Sequence, residues 1–486
     1  RWARHLGAVQ VSSNPVIAAR AYEEIADLWK SFEIVASAHP EWQNDPEKFA
    51  DEIALYGTVN SLLPNILDFR PIALLSNFKD GMVSIQLNPR KAGSVEGSLE
   101  DALKFYSILR EILERYDAYL APNSRTKENA RPNIVFKVST SGDDGIRLTE
   151  SLDKRGIGTN NTVTFTVAQE IRVALVAMRG LADALKAGIP ITTIYITNME
   201  GRLEDYLREV QGSKLLAQHL KTVEEREARI SSIAQKVGAI GDLKNTSSAE
   251  QQINLLCSKK YLKSLGDDWF VEALGRENVA QLKQMEGDIR MSGIYVTRRV
   301  FQLLFKSTVN PTLVQYLKEQ FGLSEVDASK VVNAVDLLPA SKRRAEDTYL
   351  VLADKQTSNL TNTEFPDHQM KVLQKSRESG FQLDAYENSI AATPDQDILQ
   401  RLLEIPDFQK AYEMNLGLVA ELNAIGIAVP VEKNGVEPEE WASYGPVRKT
   451  MDEFTGAYVS FQAKLLGSVK KVSSRKEEIS AQAMAK

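Results

Sequence analysis

Residues 133–166 carry the most informative pattern of apolar and polar positions in the chain, NIVFKVSTSGDDGIRLTESLDKRGIGTNNTVTFT. A strand-like apolar run around Lys137 leads into a polar loop, and a helical pattern follows at residues 146–154. Gly156 ends that helix, and a second strand-like run covers residues 162–167. This order and spacing predict a βαβ unit.

The same periodicities predict further strands and helices on both sides of this unit. Strand-like runs are predicted at residues 8–12, 82–87, 192–197, 300–311 and 348–355. Helical patterns are predicted at residues 98–119 and 168–187, in most of 22–80, and beyond residue 366. Strands that alternate with helices are typical of an α/β fold with a parallel sheet.

Composition narrows the class of protein without identifying it. The 486 residues are 43% hydrophobic and 26% charged, which suits one large domain with additions or two or three ordinary domains. The net charge of -6 gives no case for binding nucleic acid or a membrane surface, and no apolar run is long enough to span a bilayer. The single cysteine, Cys257, excludes an intramolecular disulfide and favours a reducing compartment.

Lys137 is the first candidate for chemistry, because a charged residue inside a buried strand is costly to desolvate. Burial lowers the pKa of a lysine and leaves a neutral amine that can attack a carbonyl carbon. The alternative is a lysine whose stem lies along the strand while its ammonium group reaches the surface or a buried carboxylate. The local residues leave both interpretations open.

Five segments, in order over about two hundred residues, resemble the transaldolase family. These are (β/α)8-barrel enzymes in which a barrel lysine forms a Schiff base with a keto sugar phosphate. The segments are VSSNP from Val11, VSIQLNPR from Val83, the strand of Lys137, GIGTNNTVTFT from Gly156 and ITNMEGRLEDYL from Ile196. One such segment would be weak, whereas five in family order are specific. Beyond Leu207 the resemblance is patchy.

The resemblance implies an α/β fold, a (β/α)8 TIM barrel with a large helical insertion and a helical C-terminal extension. Residues 1–210 would hold barrel strands two to six, with strand one and its catalytic aspartate missing or upstream. We interpret the long, charged, helical stretch 211–291 as the insertion. Residues 292–375 would hold strands seven and eight, and 376–486 the extension.

The resemblance also implies roles for single side chains. Gln86 and Thr162 join Lys137 as catalytic candidates, since an amide or a hydroxyl can hold a water beside the Schiff base. The substrate-binding candidates are Asn14, Asn160, Thr197, Arg202 and Ser307. Arg202 and Ser307 are expected to bind the substrate phosphate, the latter with help from Lys306 or Thr308.

Several of these candidates also have a structural interpretation. Asn14 precedes a proline and a helix, a place where asparagine is common. Asn160 and Thr162 could simply begin a polar strand after a glycine-rich turn. Arg202 could be an ordinary surface arginine at the start of a helix.

Two functions therefore stay open. The first is a transaldolase-like enzyme of the pentose phosphate pathway that transfers a three-carbon ketol unit between sugar phosphates through a lysine Schiff base. The second is a transaldolase-derived protein with lost or altered catalysis in a structural or assembly role. The family has a glutamate and an aspartate where this chain has Gln86 and Asn88, which favours the second. Related fructose-6-phosphate aldolases carry a glutamine at the first of these positions.

The first function predicts sugar phosphates as partners, with no nucleic acid and no membrane, and leaves a homo-oligomer open. No cofactor and no metal is expected, because the iminium ion itself accepts the electrons. The four histidines are scattered, at His5, His39, His219 and His368. The expected location is the cytoplasm, or an organelle stroma after removal of a transit peptide.

Overall fold

One parallel sheet of six strands forms the centre of the protein. The computed structural model describes residues 8–120, 130–221, 226–340, 366–382 and 389–484. Strands β1 to β6 are Gln10–Ser12, Met82–Gln86, Ile134–Ser139, Thr159–Thr164, Ile194–Asn198 and Val335–Pro339. Their order in the sheet is their order in the chain, and every neighbouring pair is parallel.

Helices connect each strand to the next, as parallel neighbours require. Helices α1 to α8 are Pro15–Glu24, Ala26–Ser37, Pro40–Asn44, Ala50–Leu75, Val95–Leu120, Asp143–Asp153, Val167–Lys186 and Glu200–Lys221. Helices α9 to α16 are Arg226–Val237, Ile240–Leu243, Ala249–Leu256, Asp268–Leu274, Val279–Ile289, Ser292–Val300, Asn310–Phe321 and Glu325–Ala334. Helices α17 to α21 are Pro366–Lys375, Gln396–Leu403, Pro406–Tyr412, Leu416–Ile425 and Gly445–Met484.

The two faces of the sheet have different surroundings. Apolar side chains of the outer face, such as Phe136 and Ile196, pack against the surrounding helices. On the other face Met82, Val135 and Tyr195 belong to one small cluster that spans β2 to β6, as on the concave side of a curled sheet. The fold is therefore α/β with a curled parallel sheet, and the inner face is where polar side chains can meet.

The sequence patterns correctly predicted the strands at both ends of the βαβ unit and the strands at residues 8–12, 82–87 and 192–197. The second strand of the unit begins at Thr159, three positions before its predicted start at residue 162. Its ladder contains a bulge, and Val163 has a left-handed φ of 64°. The predicted strand at residues 348–355 lies outside the described residues.

The prediction of a strand at residues 300–311 is wrong. Helix α14 continues there into a π-helix at Phe301–Phe305. Phe301, Leu304 and Phe305 are buried, and this spacing of three and four residues is helical. A short apolar run fits a buried helix as well as a buried strand. The strand that follows β5 in the sheet is instead Val335–Pro339.

Residues 211–291 are helical within the described part, from the end of α8 to α13, as the sequence predicted. The last described element is the 40-residue helix α21, which packs onto the N-terminal helices through Tyr458, Phe461 and Leu465. A side chain at Gly57 would meet Leu465, since a Cβ atom there would lie 2.4 Å from Leu465 Cδ1. Among the described helices, none is both long and apolar enough to cross a membrane.

Candidate active site

Lys137 is the fourth residue of β3, and its register partners are Gln86 on β2 and Asn160 on β4. Tyr195 on β5 is the register partner of Asn160. Side chains in register on parallel strands point to the same side of the sheet, and Tyr195 belongs to the inner-face cluster. Three of the predicted site residues therefore form one row across the concave face.

The Lys137 side chain is buried, with 7% of its surface exposed. Its Nζ atom donates hydrogen bonds to Ser12 Oγ at 3.0 Å and to the Ser13 carbonyl oxygen at 3.4 Å. Burial, and secondarily the positive charge of Arg202, lower the pKa of Lys137 from 10.5 to about 8. A larger fraction of Lys137 than of an ordinary lysine is therefore the neutral amine near neutral pH, and attack on a carbonyl requires that form.

We predict that imine formation at Lys137 has an inflection near pH 8. With that pKa, about one lysine in ten is neutral at pH 7, and the neutral fraction approaches its maximum about one unit above the inflection. The rate of borohydride trapping with a ketose should rise from pH 6.5 to pH 9 and then level off. A rate that continues to rise as an ordinary lysine deprotonates would contradict the lowered pKa.

Gln86 is half-buried and faces the Lys137 strand. Its Nε2 group donates to the Lys137 carbonyl oxygen at 3.1 Å and to Ser139 Oγ at 3.2 Å. Its Oε1 atom is buried, and no hydrogen-bond partner for it lies within the described part of the chain. This acceptor is available to a substrate hydroxyl or a water, so Gln86 can orient such a group but cannot take up a proton from it.

Changing Gln86 to Glu is expected to raise the pKa of Lys137. A carboxylate in this row would favour the ammonium form, because opposite charges within a few ångströms stabilise each other. The inflection of the trapping profile should move upward by about one unit or more. Ser139→Ala is the matched control, since it removes one partner of Gln86 without adding charge. An unchanged inflection in Gln86→Glu would mean that this side chain does not face the amine.

Asn160 and Thr197 are joined in a buried network on the inner face. Asn160 Nδ2 donates to Ser84 Oγ at 2.7 Å, and Thr197 Oγ1 donates to Asn160 Oδ1 at 2.5 Å. Gln10 Nε2 also donates to Ser84 Oγ, at 3.3 Å. The network fixes the orientation of the Asn160 amide beside Lys137, and rigid amides of this kind suit the binding of sugar hydroxyls.

Thr162 is fully buried on β4, and its hydroxyl lies 3.7 Å from Met199 Sδ. The next residue is Val163, whose left-handed φ is costly for a β-branched side chain. Strain of this kind is concentrated at functional sites, which agrees with the predicted catalytic role of Thr162 without testing it.

Asn14 is the N-cap of α1, where its Oδ1 atom accepts a hydrogen bond from the Ile17 amide at 2.9 Å. The Oδ1 atom of Asn14 therefore caps the helix, as the structural interpretation of this residue predicts. Its role in substrate binding stays a prediction that concerns the Nδ2 group. Asn88 likewise caps a short helix, with Oδ1 accepting from the Arg90 amide at 3.0 Å.

Arg202 lies in the first turn of α8, directly after β5. Its guanidinium group donates to both carboxylate oxygens of Glu453 on α21, at 2.7 and 3.1 Å. It also lies 5.0 Å from the centre of the Phe454 ring. Because its charge lowers the pKa of Lys137, Arg202 and Lys137 are electrostatically coupled.

Ser307 is exposed in the turn that follows the π-helix. The prediction placed it at the end of a barrel strand beside Arg202. Because residues 300–311 form no strand, the sheet does not bring Ser307 to the strand ends, and the reason for grouping it with Arg202 is lost. Lys306 and Thr308 are exposed in the same turn.

Ser12 and Ser84 contact the predicted site residues directly, and sequence reasoning missed both. The VSSNP segment had been singled out, but for Asn14 alone. The alternation of strand side chains could have identified Ser12, which lies two positions from Gln10 on the same side of β1. Ser84 could have been found in the same way from Gln86.

Glu170 and Glu200 form a buried acidic pair outside the row of Lys137. Glu170 Oε1 accepts from Asn198 Nδ2 at 2.7 Å, and Glu200 Oε1 accepts from Thr297 Oγ1 at 2.6 Å. Burial, with a further contribution from Glu200, raises the pKa of Glu170 well above its ordinary value.

Within the described ranges, one group of side chains has spacing that a metal ion could use, formed by His39, Glu41 and Glu52. The group lies on and between α3 and α4, and its ligand atoms are within 4.8 Å of one another. Glu52 already accepts hydrogen bonds from Trp42 Nε1 and Lys104 Nζ, and the His39 ring stacks on Trp42. These contacts account for the group as an ion-pair and ring cluster.

The fold and the site together define an α/β protein that carries a buried lysine with a lowered pKa on the concave face of a parallel sheet. Residues 1–256 match the family model described as transaldolase/fructose-6-phosphate aldolase. This match covers more than half of the chain, so the chain belongs to that family.

The sequence identity to individual curated relatives is low, and it extends over segments shorter than the match to the family model. The chain is 28% identical over 118 residues to a transaldolase of Neisseria gonorrhoeae, which is 24% of this chain and 28% of the relative. It is 27% identical over 131 residues to a transaldolase of Thiobacillus denitrificans, which is 26% of this chain and 31% of the relative. The matched segments thus span less than a third of these relatives.

Proposed function

We propose that this protein is a transaldolase-type enzyme that transfers a three-carbon ketol unit between sugar phosphates through a Schiff base on Lys137. The observation that carries the proposal is the buried Lys137 amine, with its lowered pKa, in register with Gln86 and Asn160. Family membership supports the same class of reaction.

In the proposed reaction, neutral Lys137 Nζ attacks the ketose carbonyl carbon and forms a carbinolamine. Loss of hydroxide from the carbinolamine gives a protonated imine, which accepts the electron pair released when the neighbouring carbon–carbon bond breaks. The hydroxyl oxygen of the departing aldose becomes its aldehyde carbonyl, and the hydroxyl proton passes to that hydroxide, which becomes a water that Gln86 and Thr162 orient. The same water returns a proton to the acceptor oxygen in the next step. The enamine that remains then attacks an acceptor aldehyde, and hydrolysis of the new imine frees Lys137.

The remaining side chains have binding roles in this proposal. The fixed amide of Asn160, held by Ser84 and Thr197, binds a ketose hydroxyl. Arg202 binds the phosphate, since a guanidinium group matches two phosphate oxygens with parallel hydrogen bonds. We also infer that the six strands belong to an eight-stranded barrel, as the family resemblance implies. The compartment and the oligomeric state stay predictions.

A second function rests on a specific observation. The Glu453 carboxylate accepts hydrogen bonds from both terminal nitrogens of Arg202, and the Gln86 amide cannot relay a proton. A protein in which these features are permanent would keep the family fold and lack efficient transfer.

An exchange assay tests the proposed function. The protein is mixed with fructose 6-phosphate and a phosphorylated aldose acceptor, and the seven-carbon or other extended ketose phosphate is quantified by mass spectrometry. Transfer to the acceptor supports the proposal. Release of a free three-carbon ketose would assign an aldolase instead, and no product with either acceptor or water would favour the second function.

A further inference from the structure

Arg202 is one of three cations at the junction of α8, the helical stretch 211–291 and α21. Lys259 Nζ lies 3.0 Å from Glu453 Oε2, so the same carboxylate accepts from Arg202 and Lys259. Lys449 lines the small pocket next to them, together with Asp205, Tyr206 and Thr450. Two of the three cations thus come from the parts of the chain beyond the family match at residues 1–256.

Glu209 brings the two lysines together. Its Oε1 atom accepts from the Lys259 backbone amide at 2.6 Å, and its Oε2 atom pairs with Lys449. Burial, together with Arg202, lowers the pKa of Lys449 despite its acidic neighbours Asp205 and Glu453. The cost of holding these cations close together is offset by the carboxylates around them.

The cations at this junction stabilise the ionised form of the Glu453 carboxyl group. Burial alone would raise the pKa of Glu453, but hydrogen bonds and charges from Arg202 and Lys259 lower it to about 2. A carboxylate that accepts two parallel bonds from a guanidinium group and one from a lysine has the contacts that a bound phosphate would make. Phosphate carries more charge and more acceptor oxygens, so it can also use Lys449.

We propose that Lys259 and Lys449 complete, with Arg202, the subsite for the substrate phosphate, and that Glu453 of α21 holds the place of the phosphate until substrate displaces it. The inference rests on the proposed function, because it assigns the ligand of Arg202. It adds two lysines from the helical additions to the site and makes α21 a competitor of the substrate.

The rest of α21 has its own attachments, so displacement of Glu453 need not release the whole helix. Lys464 pairs with Glu23 at 2.6 Å, Lys470 pairs with Glu47 at 2.8 Å, and the apolar face of the helix is buried against the N-terminal helices. Val447 and Phe454 beside Glu453 are buried as well, so displacement moves the Glu453 side chain and loosens its turn without detaching the helix.

The test compares Glu453→Gln with Glu23→Gln in the full chain. Each variant removes one carboxylate that ties α21 to the body, but only the first frees Arg202 and Lys259. Isothermal titration with inorganic phosphate and with fructose 6-phosphate should show about three- to tenfold tighter binding to Glu453→Gln, on the scale of one half-exposed ion pair. Glu23→Gln should bind both ligands like the unaltered protein.

The lysines are tested in the same background. Adding Lys259→Gln or Lys449→Gln to Glu453→Gln should reverse the gain in phosphate affinity, because each removes one cation of the subsite. Lys236→Gln, at an exposed ion pair on α9, is the matched control and should leave the gain intact. Phosphate binding that Glu453→Gln leaves unchanged or weakens would overturn the inference and leave the contact as an anchor of α21.

A second measurement needs no variant. In the unaltered protein, phosphate should increase hydrogen exchange in residues 445–455, whereas chloride at the same ionic strength should not. Equal exchange with both salts would overturn the inference even if Glu453→Gln fails to fold. Phosphate binding is measured without chemistry, so it is separate from the proposed function. If phosphate binds as expected but no ketose labels Lys137, the proposed function is wrong while the phosphate subsite stands.

Discussion

Lys137→Met is expected to abolish three-carbon transfer, with a loss of about 10⁴-fold or more, because it removes the amine on which the covalent intermediate forms. Methionine has a similar length and is apolar, so it suits the buried position on β3. The variant should be at least as stable as the unaltered protein, since the cost of burying an amine is removed. Rates come from the exchange assay, and stability from thermal unfolding.

Lys154→Met is the control for this prediction. Lys154 follows helix α6 in the same βαβ unit, but it is half-exposed and pairs with Asp183 at 2.8 Å. Its loss should leave transfer unchanged and lower stability only slightly. Transfer that survives in Lys137→Met would mean that another amine carries the reaction or that the chemistry needs no Schiff base.

Arg202→Ala is expected to weaken the binding of phosphorylated sugars by about ten- to hundredfold, the range for loss of a charge-assisted pair of hydrogen bonds. Binding of the corresponding unphosphorylated ketose should change little. The binding of each ligand is measured by titration. In a second measurement one sugar is trapped with borohydride in the presence of the other, and the decrease in the trapping rate reports competition between them. An equal loss for both sugars would assign a structural role to Arg202.

The structure supplies the control that this variant needs. Arg202→Ala also removes the contact that ties Glu453 to α8, so loosening of α21 could weaken binding by itself. Glu453→Gln loosens the same contact while it keeps the guanidinium group. Weak phosphate binding in Arg202→Ala together with tight binding in Glu453→Gln separates the loss of the cation from the loss of the anchor.

The sequence could predict the row of Lys137 because strands have a fixed period. The apolar residues around Lys137 identified β3, and the family-like segments placed Gln86 and Asn160 at similar depth on the neighbouring strands. Parallel strands in register then align these residues without any further information. The same logic would have found Ser12 and Ser84 had every polar inner-face position been considered.

Periodicity was a poorer guide where an apolar run was short. The residues VFQLLF around Phe301 fit either a strand or a helix, and only their packing into a continuous helix decides between them. Because of this error, strand seven was predicted at residues 300–311 and not at Val335–Pro339. Ser307 had been grouped with Arg202 on the basis of that strand, so the grouping lost its reason when the strand proved to be a helix.

Contacts between the family-like segments and the helical additions could not be predicted. Arg202 and Glu453 are 251 residues apart, and no pattern near either residue indicates the other. The same holds for Lys259, whose stretch was interpreted as a solvated helical insertion. Tertiary packing of α21 brings these residues to one place, which is why the phosphate subsite proposed here required the structure.

Covalent mapping of Lys137 tests the central claim most directly. The protein is incubated with fructose 6-phosphate, reduced with borohydride, digested and analysed by peptide mass spectrometry. We predict one modified lysine, Lys137, carrying the reduced ketose adduct, and no such label in Lys137→Met. A label on a different lysine, or no label with any ketose phosphate while the protein binds these sugars, would contradict the assignment of Lys137 as the nucleophile.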